Sequence, residues 1–247
     1  MQLTIVGCSD ASGSGGRHHS CYLLGTSKGR LMIECGANSP LALKRSKIPL
    51  SSVDAIMISH CHGDHMGGLP FLYLDMLFLE PISKPLTIFG PAGIKQRIRE
   101  MWESLYPGML TQFESLDLDY AEFTPGDPRE WRGLTFNAFE VDHFSGSPSL
   151  ALNIHDGEKR FAFSGDSGWC DGVVRAGHGA DLYLIECTSY SSKFAMHLDY
   201  LTLAQKFGEI GASHYVLTHM SDEMLEARDK IDTARCTPAD DGLVIAI

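Results

Sequence analysis

Residues 59–68 read Ser59-His60-Cys61-His62-Gly63-Asp64-His65-Met66-Gly67-Gly68. Three imidazoles and a carboxylate, His60, His62, Asp64 and His65, follow directly on Ala55-Ile56-Met57-Ile58, an apolar run with the length of a buried strand. Four metal-type side chains this close cannot all serve one tetrahedral ion. Residues two apart in extended chain point to one side, so His60 and His62 can grip one metal while Asp64 and His65, past the turn at Gly63, reach a second.

Outward from this stretch, strands are expected near 2–7, 20–25, 30–35 and 54–58, with a short helix near 39–45. An apolar helix follows over 69–79, then a strand at 86–89 and a helix from 93 to about 106, where Ile94, Ile98, Met101 and Leu105 recur at helical spacing. The second half opens with strands near 119–123, 133–141, 149–154 and 160–164, punctuated by Pro125-Gly126-Asp127 and Asp156-Gly157. It then alternates: strand 181–186, helix 198–210, strand 215–218, helix 221–230 and a closing strand 242–247. Two halves that each run from strands into strand-helix pairs imply an α/β protein, with two sheets packed face to face, helices outside, and ligands along one edge.

With 247 residues, 44% of them hydrophobic and 21% charged, and no linker-like tract or repeat, the expectation is one domain over 1–247 with a sizeable core. A formal charge of −11 opposes bulk binding to DNA or RNA. The basic clusters Lys44-Arg45-Lys47 and Lys95-Arg97-Arg99 read as solvated faces. Seven cysteines without a Cys-x-x-Cys pair argue against a disulfide framework or a thiolate zinc site. No apolar run approaches the ~20 residues of a membrane span and no signal-like segment opens the chain, so a soluble, cytoplasmic protein is expected.

Three further residues fall where strands should end: His143, Asp166 and His219. With the first cluster they make five His and two Asp, sufficient for two metals that share one bridging carboxylate and one bridging solvent.

These residues together resemble the metallo-β-lactamase-fold hydrolase superfamily, whose His-x-His-x-Asp-His signature is met by His60, His62, Asp64 and His65. The likeness spans the chain, from the glycine-rich Gly13-Ser14-Gly15-Gly16-Arg17 and the Ile33-Glu34-Cys35-Gly36 strand end to the terminal strand after Asp241-Gly242. It implies a four-layer αββα sandwich of two mixed sheets. It further implies that His60, His62 and His143 hold metal 1, that Asp64, His65 and His219 hold metal 2, and that Asp166 bridges them. Zinc is the first expectation, with manganese or iron open to the same N/O ligand set.

A finer resemblance, to the ribonuclease Z and cyclic-phosphodiesterase branch, rests on Glu186-Cys187-Thr188, then His197, then Leu217-Thr218-His219. It implies that His197 contacts the scissile phosphate or protonates the leaving oxygen. The expected chemistry is attack by a metal-bridging hydroxide, with Asp64 also orienting the nucleophile, and with Glu186 and Asp142 as hydrogen-bond partners of ligand histidines. Ser145 and Ser147, just beyond His143, are placed to touch substrate. Two departures bear on substrate. The His143-to-Asp166 interval has no room for the arm that clasps transfer RNA in ribonuclease Z. The cysteine-rich zinc site of phosphonate-breakdown phosphodiesterases is also missing, leaving only Cys8, Cys21 and Cys35. The leading expectation is therefore a phosphodiesterase for small or cyclic phosphodiesters. A ribonuclease Z-like endonuclease, a lactonase or arylsulfatase, and a non-catalytic carrier on the same fold are the competing readings. Homodimer formation is compatible with all of them.

Overall fold

The computed structural model describes residues 1–82 and 84–247. Its first sheet uses β1 (Gln2–Gly7), β2 (Cys21–Thr26), β3 (Gly29–Ile33), β4 (Ala55–Met57), β5 (Leu86–Gly90) and β6 (Leu118–Glu122). The second uses β7 (Arg129–Trp131), β8 (Leu134–Glu140), β9 (Leu150–His155), β10 (Arg160–Phe163), β11 (Leu182–Glu186), β12 (Tyr215–Thr218) and β13 (Cys236–Pro238). The last strand, β14 (Val244–Ala246), returns to the first sheet, which runs β14-β1-β2-β3-β4-β5-β6; the second runs β13 to β7 in order.

Both sheets are mixed in the same way. β1, β2 and β3 pair antiparallel and β3 to β6 parallel, while β7 to β10 pair antiparallel and β10 to β13 parallel. Alternation sets the inner faces: in β8, Leu134, Phe136 and Ala138 are buried while the residues between them are half-buried. Leu24, Leu31, Ile33 and Phe89 meet Phe136, Leu152, Phe161 and Leu184 in the core between the sheets. Each large side chain taken fully out of water there contributes about 1.5–3 kcal/mol.

Helices cover both outer faces, completing four αββα layers. The β3–β6 side is covered by α1 (Ser39–Arg45), α3 (Leu69–Phe78) and α4 (Ile94–Leu105), whose Leu43, Leu72, Ile98 and Trp102 pack on Met32, Ile56 and Ile88. Between β4 and α3 lies the one-turn α2 (Gly63–Met66), and α5 (Leu110–Glu114) follows α4. On the other side, α6 (Asp171–Gly177), α7 (Tyr200–Ile210) and α8 (Asp222–Glu226) place Val173, Leu203, Phe207 and Met224 on Tyr183, Ile185 and Leu217. The expected helix over 221–230 is thus α8 followed by a separate 3-10 turn, Arg228–Lys230. The helix expected from 198 starts at Tyr200, because Asp199 caps it by accepting a hydrogen bond from Thr202 N, so His197 lies in the preceding loop. Parallel strands bring their C-terminal ends to one edge, and β4, β10, β11 and β12 therefore deliver the segments that follow them to one place.

Candidate metal centre

The turn after β4 is pinned from two sides. Ser59 N donates to the buried Glu34 carboxylate at 2.8 Å, and Ser59 O accepts from Leu150 N at the start of β9 at 3.1 Å. This fixes His60, whose Nδ1 lies 2.9 Å from Ser59 Oγ, leaving Nε2 to the site. The last of the strand-end segments is held differently. His219 adopts a φ of 57°, unusual without a glycine, and its N–H donates to Cys8 O at 3.1 Å. Such backbone costs about 1–3 kcal/mol and persists only where its surroundings enforce it.

All seven expected ligands come together, as two clusters. His60, His62 and His143 form one, with His143 Nε2 3.0 Å from His62 Nδ1. Asp64, His65, Asp166 and His219 form the other. In it, Asp64 Oδ2 lies 3.2 Å from both His65 Nε2 and His219 Nε2, and Asp166 Oδ2 lies 3.3 and 3.2 Å from the same atoms. Asp166 Oδ2 is also 3.8 Å from His60 Nε2, so one carboxylate oxygen borders both clusters.

The donor set fits divalent metal. A tetrahedral ion with bonds of about 2.0–2.1 Å separates its ligands by about 3.3 Å, close to the spacing within the second cluster. Buried His60 Nε2 and His65 Nε2 have no hydrogen-bond partner, although a carboxylate oxygen of Asp166 lies 3.8 and 3.3 Å from them. An unpartnered buried ring nitrogen is costly, and a metal ion would be bound by its lone pair.

Electrostatics point the same way. Burial alone would lower the histidines; it does so for His60 and His143. For His65 and His219 the adjacent Asp166 and Asp64 outweigh burial, holding His65 well above its ordinary value and His219 up to about 9. Against their own burial, Asp64 and Asp166 are held below the usual carboxylate range by the same imidazoles. The cluster thus gathers positive charge onto its nitrogens, charge that a metal ion would supply instead.

His197 sits over the junction. Its ring stacks on His219 with centroids 5.6 Å apart and meets His143 edge-on at 5.1 Å. Its Nδ1 lies 2.9 Å from Glu186 Oε1, which also accepts from Ser167 N at 2.8 Å. Burial would depress this imidazole, but the hydrogen bond and charge of Glu186 raise it above its ordinary value. With Nδ1 engaged, Nε2 is the atom left to exchange a proton.

Sequence reasoning assigned Glu186 to a ligand histidine, whereas its direct imidazole partner is His197. The carboxylate nearest His65 Nδ1, at 3.4 Å, is Glu34, which the sequence marked only as part of a strand end. Asp142 is exposed, and His143 Nδ1 contacts Met196 O instead, at 3.2 Å. Ser145 Oγ is turned inward to Ser147 O and Ser149 Oγ, at 3.1 and 3.0 Å, while Ser147 Oγ lies 3.4 Å from Cys61 Sγ.

A cleft of about 560 Å³ opens beside the metal-type loop, walled by Cys61, Gly63 and Phe71 and by Arg97, Glu100 and Met101 of α4. A smaller hollow of about 230 Å³ shares Cys61, Arg97 and Glu100 and is lined on its far side by Ser145 and Ser147. The basic cluster of α4 therefore divides between faces: Arg97 lines the cleft, while Lys95 and Arg99 line a groove against α5 and β6.

The fold and the clustered donors define a hydrolase of the metallo-β-lactamase fold, in the ribonuclease Z-like branch. Residues 1–239 match the family described as Anti-Pycsar protein Apyc1, and the chain belongs to that family. It is 24% identical to a ribonuclease Z of Methanosarcina acetivorans, over 90% of this chain and 88% of that protein. To an Anti-Pycsar protein Apyc1 of Bacillus phage BSP38 it is 27% identical, over 67% of this chain and 68% of the phage protein. The crystal structure of the metallo-β-lactamase fold protein YhfI from Bacillus subtilis superposes with a TM-score of 0.79 at 23% identity, covering 99% of this chain and 98% of that one.

Proposed function

We propose that this chain is a two-metal phosphodiesterase acting on small or cyclic phosphodiesters. The observation that carries the reading is the Glu186–His197 pair, which sets a proton-bearing imidazole over the junction of two metal-type clusters. An aryl sulfate has less need of such a donor, because its leaving phenolate oxygen is already stabilised; an alkyl phosphodiester does need one.

In this reading His60, His62 and His143 hold one ion and Asp64, His65 and His219 the other, with Asp166 common to both. Zinc is the metal we favour for this N/O set, with manganese or iron as alternatives. Two such ions supply a hydroxide nucleophile at neutral pH and offset charge on the phosphoryl oxygens. The chain's own residues do the rest. Asp64 uses Oδ2 toward His65 and His219, so its Oδ1 is available to orient the attacking water. His197 hands its Nε2 proton to the leaving oxygen while Glu186 holds the ring and its charge. The ester's organic arm runs over the α4 cleft and the adjoining hollow, past Arg97 and Ser147.

Small substrates are favoured over polynucleotides because β9 and β10 fill the interval between His143 and Asp166. The charge of −11 also repels a polyanion. All seven cysteines are free thiols, which suits a reducing, cytoplasmic setting. Among the described residues, no helix is long and apolar enough to cross a membrane.

The test is a substrate panel on metal-analysed protein: a cyclic nucleotide, a dialkyl phosphate, a transfer-RNA precursor, a lactone and an aryl sulfate. Turnover concentrated on the small phosphodiesters is expected. Preferential single-site cleavage of the precursor would move the assignment to a ribonuclease Z-like endonuclease, and turnover confined to the lactone or sulfate would overturn phosphodiester chemistry.

A further inference from the structure

Thr188 follows β11 and touches both imidazoles at the seam between the second cluster and the proton donor. Its Oγ1 lies 2.8 Å from Glu186 Oε2, 3.2 Å from His219 Nδ1 and 3.3 Å from His197 Nδ1. A hydroxyl has one proton to give, and a carboxylate oxygen can only accept. The proton is therefore committed to Glu186, and at its other contacts Thr188 must accept. His197 Nδ1 already donates to Glu186 Oε1, so the free acceptor capacity belongs to His219. It follows that His219 carries hydrogen on Nδ1, and in the neutral ring this leaves Nε2 with its lone pair, 3.2 Å from Asp64 Oδ2 and Asp166 Oδ2.

The hydroxyl is itself held in place. Thr188 N donates to Leu198 O at 3.0 Å, and Thr188 O accepts from Ser221 N at 2.9 Å, so both neighbouring segments clamp its backbone. Because Thr188 and His219 are both buried, neither polar contact is readily replaced by water.

We propose that Thr188 is a positioning residue that fixes His219 in the Nδ1–H form, presents Nε2 to the metal cluster, and links this ligand through Glu186 to His197. The inference rests on the two-metal reading above. It assigns one carboxylate, Glu186, to two tasks, directly for the proton donor and through a hydroxyl for the ligand. Partners of this kind typically govern metal affinity by about 10–100-fold.

The experiment compares wild type, Thr188→Val, which keeps the shape without the hydroxyl, and Thr188→Ser, which keeps the hydroxyl. Metal-free protein is titrated with Zn2+ against a chelating competitor. Thr188→Val should bind the weaker-held second equivalent about 10–100-fold less tightly while retaining the first, and Thr188→Ser should restore it. Long-range proton–nitrogen correlation spectra of the zinc-loaded wild type should show His219 with hydrogen on Nδ1, in slow exchange. That exchange should accelerate in Thr188→Val. A wild-type His219 without the Nδ1 hydrogen, or a Thr188→Val protein with unchanged affinity and exchange, overturns the proposal. Should Thr188→Val fail to fold, the wild-type spectrum and the Thr188→Ser titration still decide it. Uptake of a single equivalent by wild type would instead count against the two-metal reading, leaving the His219 spectrum to decide on Thr188.

Discussion

Replacing Glu186 by Gln tests the chemistry at its centre, because the substitution keeps shape and removes charge. Glu186 is buried and accepts four donors: Ser167 N and His197 Nδ1 on Oε1, Thr188 Oγ1 and Leu198 N on Oε2. A glutamine has one accepting end, so whichever way the amide turns, two donors face its NH2 group. Two hydrogen bonds to a charged group, each worth about 1.5–3 kcal/mol, are lost, about 3–6 kcal/mol in all before relaxation. In a chain of this size that lowers Tm by roughly 6–24 °C. The kinetic effect has a definite sign. In the proposed mechanism His197 acts protonated, and Glu186 raises its pKa against the opposing effect of burial, so Glu186→Gln should lower it. The alkaline limb of kcat on an alkyl phosphodiester should move to lower pH, each unit costing about tenfold above the limb. Below the new limb, turnover should recover toward wild type. With para-nitrophenolate as leaving group, which needs no proton, the shift should matter far less. An alkaline limb that stays in place on the alkyl ester, or an equal loss at every pH on both esters, would refute acid catalysis by His197.

Other measurements reach the remaining parts of the site. Asp166→Ala removes the oxygen that borders His60, His65 and His219, so at least one of two metal equivalents and most activity should be lost while the far-ultraviolet spectrum is unchanged; near-normal turnover would show that no bridge depends on it. Metal uptake must expel protons from His65 and His219, whose pKa values Asp166 and Asp64 hold high, so affinity should rise with pH through about 9, where His219 loses its proton. Calorimetry at neutral pH in buffers of different ionisation enthalpy should detect that release, and equal heats in all buffers would contradict it. Arg97 and Glu100 line the same cleft with opposite charge, 3.9 Å apart. Arg97→Ala should therefore raise KM for an anionic ester by about fivefold and Glu100→Gln should lower it, both with kcat unchanged, since exposed charges are worth about 1 kcal/mol. Parallel changes in the two variants would remove the cleft from the binding path.

The sheets and long helices were legible either from a period, as in β8 and α4, or from an unbroken apolar run, as in β4, β12 and α3. Elements whose residues answer to distant neighbours were not. α6 reads Asp171-Gly-Val-Val-Arg-Ala-Gly177, poor helix sequence by propensity. Its glycines are explained by packing: a Cβ on Gly172 would stand 2.0 Å from Glu140 O, and one on Gly177 would stand 2.3 Å from the Tyr183 ring. β7 and β13 are three-residue edge strands, too short for alternation to register. The clustered donors were found for the opposite reason, since four of them crowd one turn and the others each follow an apolar strand. Glu34 and Thr188 stood in quoted motifs without a role of their own, because those roles depend on partners 25 and 31 positions away, Ser59 and His219. Arg97 was hidden by Lys95 and Arg99, which share its charge but not its face of α4.

Glu34 and Glu186 show how the halves of this fold reach different ends with one device. Each stands at or just past the end of a strand, β3 or β11, beside a parallel neighbour, β4 or β10. Each accepts the backbone N–H that follows that neighbour, Ser59 or Ser167, at 2.8 Å, which anchors a buried carboxylate at the sheet edge. A histidine Nδ1 then lies beside the carboxylate, His65 for Glu34 and His197 for Glu186. What separates the outcomes is what surrounds the far side of each ring. His65 is 1% exposed and its Nε2 faces Asp64 and Asp166, so any proton there competes directly with a cation. His197 is 23% exposed and, apart from Glu186, shares a metal-type group with one carboxylate, Asp166, rather than two, so its Nε2 is open to take a proton from solvent and give it to a substrate oxygen. On the proposed mechanism the same carboxylate–imidazole arrangement would give a ligand where the ring is sealed among anions and an acid where it stays open to solvent, which would make solvent access to His197 as much a part of the catalysis as the carboxylate behind it.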